Sequence, residues 1–127
     1  MTAEQKSILI IDDEALVREL YSIKLKNAGF KVLEAEGGEK GLSTALSEKP
    51  DLIVLDMIMP GMNGYKVLKQ LRADAWGANV PVIVLSNDKL EKDDNLNIVD
   101  TTAPAYFLQK TGTTPADLAA KITSVLG

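Results

Sequence analysis

Five short apolar runs punctuate the chain: Ile8-Leu9-Ile10-Ile11, Val32-Leu33, Leu52-Ile53-Val54-Leu55, Val82-Ile83-Val84-Leu85 and Ala105-Tyr106-Phe107-Leu108. Three of them are unbroken and rich in β-branched residues or leucine, the pattern of strands covered on both faces in a parallel sheet. Val32-Leu33 is flanked by Lys31 and Glu34, which predicts a half-exposed strand. Between the runs the apolar period lengthens. Leu16, Leu20 and Ile23 recur at i, i+4, i+7 and predict an amphipathic helix with these three as its apolar stripe, stopped by Gly29. Leu42, Ala45 and Leu46 form a second stripe ahead of Pro50, and Val67, Leu68 and Leu71 a third. Leu118, Ile122, Val125 and Leu126 form the last, introduced by Thr114, Pro115 and Asp117 as N-cap, first helical residue and capping-box acid. The stretch from Lys89 to Asp100 is the weakest helix, because Leu90, Leu96, Ile98 and Val99 share no clean face.

Five strands alternating with five helices predict right-handed βαβ units in one doubly wound α/β domain, (βα)5, spanning 1–127. No linker, repeat or low-complexity tract divides it. At 127 residues, such a domain buries roughly two-thirds of its unfolded surface.

In open α/β sheets ligands bind at the carboxyl ends of the strands. The first apolar run ends in Asp12-Asp13, the third in Asp56, the fourth in Ser86, and the fifth is followed by Gln109-Lys110. Each residue has an ordinary explanation: Asp12 or Asp13 as a cap for a helix beginning at Glu14, Asp56 as a turn residue, Ser86 as a cap, Lys110 as a solvated lysine. Jointly they place three carboxylates, a hydroxyl and an ammonium on one sheet edge.

Composition then narrows the chemistry. There is no cysteine and no histidine, which removes thiolate nucleophiles, Ser-His and Cys-His catalysis and His/Cys metal clusters. Clustered carboxylates repel one another unless a cation compensates. Lys110 supplies one charge, and an all-oxygen donor set selects Mg²⁺ ahead of Mn²⁺ or Ca²⁺. The net charge of −4 and the lack of a basic run argue against nucleic acid as a direct partner. No apolar stretch approaches the ~20 residues of a membrane helix, and the N-terminus lacks an apolar signal core, so a cytoplasmic location is expected. Met57, Met59 and Met62 read as packing and loop residues and not as ligands, and Glu91, Asp93, Asp94 and Asp100 as a solvated acidic face.

The stretches Ile8-Leu9-Ile10-Ile11-Asp12-Asp13-Glu14 and Asp51-Leu52-Ile53-Val54-Leu55-Asp56-Met57-Ile58-Met59-Pro60-Gly61-Met62-Asn63-Gly64 resemble those of response regulator receiver domains, and the resemblance covers nearly the whole chain. It implies a flavodoxin-like sheet of order 2-1-3-4-5. It implies Asp56 as phospho-acceptor, with Mg²⁺ (Mn²⁺ as the substitute) held by Asp12, Asp13, Asp56 and the backbone carbonyl of Ile58. It implies Ser86 and Lys110 as contacts to the phosphoryl group, Phe107 as the aromatic switch, and Ile58, Asn87 and Asp88 as residues modulating access or rate.

The donor implied is a histidine kinase or histidine phosphotransfer protein in trans. The output surface is the Lys89–Asp100 helix, the fifth strand and the C-terminal helix, acting on a downstream effector as a monomer or a phosphorylation-dependent dimer. Enzymatic behaviour is expected to stop at self-phosphorylation from small phosphodonors and slow autodephosphorylation. An aspartate-nucleophile phosphohydrolase would carry an acid two residues after its nucleophile, where this chain has Ile58. A flavin-binding relative would need a hydroxyl- and amide-rich loop in place of Asp12-Asp13-Glu14. The chain departs from the family at Thr111, where proline after a cis bond is usual, and at Asn87, where a small residue is usual. These departures keep open a receiver-like module that signals without phosphorylation. The sequence ends after the C-terminal helix, compatible with a stand-alone regulator or a part of a larger one.

Overall fold

A computed structural model describes residues 5–57, 59–86 and 105–127. The elements are β1 (Ser7–Ile11), α1 (Ala15–Asn27), β2 (Lys31–Ala35), α2 (Gly38–Glu48), β3 (Leu52–Asp56), α3 (Gly64–Ala73), β4 (Val82–Ser86), β5 (Ala105–Gln109), a 3₁₀ turn at Lys110–Gly112 and α4 (Pro115–Leu126). The helix expected between Lys89 and Asp100 lies outside the described residues. All strands are parallel in the order β2-β1-β3-β4-β5, the order the resemblance implies.

Strand side chains alternate between two apolar layers, as a period of two requires. Leu9, Ile11, Ile53, Leu55, Val82 and Val84 pack with Val67, Leu68 and Leu71 of α3 and Ala45 of α2. Ile8, Ile10, Leu52, Val54, Ile83 and Leu85 pack with Tyr21 and Leu25 of α1 and Leu118 and Ile122 of α4. These strand residues are all 0–1% exposed, which explains why β1, β3 and β4 read as unbroken apolar runs. β2, at the edge, is half covered. In the first layer α2 lies so close to β1 that a Cβ on Gly41 would stand 2.6 Å from Ile11 Cδ1. Met57 and Met59 are core residues, as expected, and Met62 packs against them.

Two helix starts, those of α3 and α4, are capped by their local sequences. Thr114 Oγ1 accepts from the Asp117 amide at 3.0 Å and Asp117 Oδ2 from the Thr114 amide at 3.1 Å, closing the predicted capping box. Asn63 caps α3 by accepting from the Lys66 amide. The stripe of α1 is a correction. Leu16, Leu20 and Ile23 are 68%, 50% and 52% exposed, and the helix turns Tyr21, Ser22 and Leu25 to the core instead. The cause lies at the sheet end of the helix. Arg18 donates to the Asp12 carbonyl at 2.7 Å and pairs with Glu34, and Tyr21 reaches over the sheet toward α4, so the helix cannot rotate its leucines inward.

Candidate acidic phosphoryl and metal site

The site is assembled by register. Ile11 pairs with Leu55, so the residue after β1, Asp12, comes level with Asp56 at the end of β3. Ser86 pairs with Gln109, so β4 and β5 end together and the next residue, Lys110, enters the 3₁₀ turn at the same edge. Four separate segments thereby bring their polar ends to the carboxyl edge of the sheet. Behind Asp56 the entry to α3 is tight, because a Cβ on Gly64 would stand 2.6 Å from the Asp56 carbonyl oxygen.

Asp12 and Asp56 are 2% and 5% exposed, among few charged or polar side chains that the core admits. Lys110 Nζ lies 2.9 Å from Asp12 Oδ2 and 3.4 Å from Asp56 Oδ2, with its side chain only 8% exposed. It also lies 2.8 Å from Glu14 Oε1, which is largely in solvent. Asp12 Oδ1 accepts from the Glu14 amide at 2.9 Å, which fixes that carboxylate against the start of α1. Asp13 is exposed. Carboxylate oxygens of Asp12, Asp13, Glu14 and Asp56 all lie within 4.8 Å of one another.

Burial by itself would lower the Lys110 pKa. The hydrogen bonds to Glu14 and Asp12, and the field of Asp12 and Asp56, outweigh it and hold the ammonium above the ordinary lysine range. Tyr21, on α1 nearby, is raised from 10.0: burial raises it, Lys110 works in the opposite direction, and Asp12, Asp56 and Glu14 add to the rise.

The structure brings Asp12, Asp13, Asp56 and Lys110 together. Ser86 ends β4 at the same edge. Ile58, Asn87 and Asp88 lie outside the described residues. Phe107 pairs with Val84 and is partly buried against the α2–α3 layer, whereas Tyr106 packs in the other layer with the Lys121 ammonium 4.6 Å from its ring. The two aromatics thus face opposite sides, as their adjacency predicts. No peptide bond among the described residues is cis, so the Lys110–Thr111 loop follows a trans path into its 3₁₀ turn.

Sequence reasoning passed over Glu14 and Arg18. The sequence pattern marks Glu14 as the first residue of a helix and not as a partner of Lys110. The available signal was its side chain: glutamate caps poorly, so one at an N-cap is free to reach elsewhere.

Chemically, the carboxylates form an all-oxygen set of the kind that suits Mg²⁺, with two members buried beside a cation and Asp13 open to solvent. The residues fit such an ion, since four carboxylates face one ammonium and leave negative charge uncompensated.

A family model of the response regulator receiver domain matches residues 8–123. The phosphate regulon transcriptional regulatory protein PhoB of Pseudomonas aeruginosa is 35% identical over 121 residues, covering 95% of this chain and 52% of PhoB. The protein PilH of the same organism is 38% identical over 86 residues, 68% of this chain and 71% of PilH. This chain therefore spans about half the length of PhoB. Among solved structures, the chemotaxis response regulator CheY4 of Vibrio cholerae superposes with a TM-score of 0.84 at 27% identity, covering 96% of this chain and 99% of that one.

Proposed function

The chain belongs to the response regulator receiver domain family, and from that membership we propose that Asp56 accepts a phosphoryl group from a phosphohistidine of another protein. The family is one of two-component signalling modules and not of turnover enzymes. The observation that carries the reading is the buried Asp12–Lys110–Asp56 constellation with Asp13 at its open side.

In the proposed transfer one Asp56 oxygen attacks phosphorus, an O–P bond forms, and the N–P bond to the donor imidazole breaks, its electron pair returning to the donor nitrogen. Residues 1–127 hold no histidine, so the donor group lies outside them, on a histidine kinase or a histidine phosphotransfer protein. Catalysis of this kind is positioning and charge neutralisation. Asp12, Asp13, Asp56 and the Ile58 carbonyl would hold Mg²⁺, which when bound neutralises charge on the phosphoryl oxygens. Lys110 is placed to follow the new oxygens, because it already touches Asp56. The Ser86 hydroxyl is assigned the remaining phosphoryl contact, Phe107 the coupled aromatic movement, and Ile58, Asn87 and Asp88 control of access.

The readout would be a change of the β5 and α4 surface that a downstream effector recognises. Residues 1–127 act in this reading as one receiver unit in the cytoplasm, without direct nucleic-acid contact. Among the described residues no helix is long and apolar enough to cross a membrane.

Incubation with acetyl phosphate, followed by intact mass, tests the reading. A single phosphoryl adduct is expected with Mg²⁺ and not without it, and Asp13→Asn is expected to raise the Mg²⁺ concentration required. Labelling that ignores Mg²⁺ would contradict it.

A further inference from the structure

Glu14 stands at the N-cap of α1, yet its side chain makes no capping hydrogen bond. Short Ser, Thr, Asp and Asn side chains fold back onto the first helical amides, which the longer glutamate does poorly. It reaches instead to the far end of the chain, where Oε1 accepts from Lys110 Nζ at 2.8 Å across 96 positions. This is the shortest of the three carboxylate contacts to that ammonium, ahead of Asp12 at 2.9 Å and Asp56 at 3.4 Å. An ammonium has three N–H donors. Three carboxylates saturate it, and the acceptor aspartate holds the longest contact.

The partners differ in how readily they let go. Asp12 is buried, and separating it from Lys110 strands a charge away from water. Glu14 is 56% exposed and can turn into solvent, where carboxylate pairs are worth little. A phosphoryl group on Asp56 brings added negative charge and strong acceptor oxygens, and the N–H it can draw on most easily is the one Glu14 gives up.

We propose that Glu14 is a positioning residue that tethers Lys110 in the resting chain and competes for it with the phosphoryl group. This rests on Asp56 being the acceptor and adds a residue which that reading does not use. Glu14 therefore sets how tightly the site holds a phosphoryl group.

Removing a negative charge near an anion would also tighten binding through the field alone, and reach separates the two effects. Glu14→Gln removes the charge. Glu14→Asp keeps the charge but loses a methylene, and an aspartate at this N-cap is drawn back onto the helix amides.

The probe is beryllofluoride at saturating Mg²⁺, titrated against the wild type and both variants and followed by backbone amide NMR. Both variants are expected to bind roughly two- to fivefold tighter than wild type. In a side-chain-selective spectrum of the lysines, the Lys110 Cε–Nζ resonance is expected to shift in both before any ligand is added. Tightening in Glu14→Gln alone, with Glu14→Asp at the wild-type value, overturns the tether in favour of a field effect. Wild-type binding unchanged in both variants also overturns it. A wild-type chain that binds no beryllofluoride overturns the acceptor reading and the tether with it. The ligand-free amide spectra establish that each variant is folded.

Discussion

Lys110 balances the carboxyl edge of the sheet, because it is the ammonium placed within 3.4 Å of both buried aspartates. Replacing it by methionine leaves Asp12 and Asp56 as neighbouring buried charges. Breaking a buried pair by removing one partner is strongly destabilising, so Lys110→Met is expected to cost about 2–4 kcal/mol in urea unfolding at neutral pH. Added Mg²⁺ is expected to recover more stability in the variant than in wild type. The pH dependence has a definite sign. The Lys110 pKa is raised in the folded chain, so its contribution is complete below the ordinary lysine pKa and is lost as pH rises through the higher folded value. Tyr21 is raised above 10.0 by burial. The unfolded chain releases that proton first, so stability also falls as pH climbs past 10. A phenolate absorbance titration of the three tyrosines should contain one late component that Tyr21→Phe removes. Retention of that component would contradict the burial of the ring. Asp12 and Asp56 were legible in the sequence because each directly follows an apolar run, and Lys110 because it stands two residues past one. The Glu14 contact was not, since it joins positions 96 residues apart and depends on a cap left unmade.

At the scale of elements the strands were more legible than the helix faces. A strand buried on both sides declares itself by an unbroken apolar run, and β1, β3 and β4 all do so. Helix α1 carries two apolar rows, Leu16-Leu20-Ile23 and Val17-Tyr21-Leu25, and periodicity alone cannot choose between them. The choice is made by tertiary contacts, through Arg18 on the Asp12 carbonyl and Glu34, which turn the second row inward. Leu20→Gln is accordingly expected to change stability by less than about 0.5 kcal/mol. Leu25→Ala should cost about 2–5 kcal/mol, because it opens a cavity at a fully buried position. Comparable losses from the two variants in denaturant unfolding would contradict the observed rotation of the helix. The capping box of α4 was legible in full, since it is written in four consecutive residues, Thr114 to Asp117.

For the whole molecule, parallel register turns sequence adjacency into chemistry. Each strand delivers its terminal residue to one edge, and the order β2-β1-β3-β4-β5 sets Asp12 beside Asp56, with Lys110 reaching both from the end of β5. Fold class and strand order were readable from alternation and resemblance. Which helix face meets which layer was not, because it depends on contacts between segments distant in sequence. Asp56 as the covalent acceptor is the central claim, and borohydride trapping after acetyl phosphate treatment with Mg²⁺ tests it most directly. Borohydride reduces an acyl phosphate to an alcohol, so peptide mapping should find homoserine at position 56, and an Asp56→Asn chain should show none anywhere. Trapping at another residue, or equal labelling of the Asp56→Asn chain, would contradict the claim.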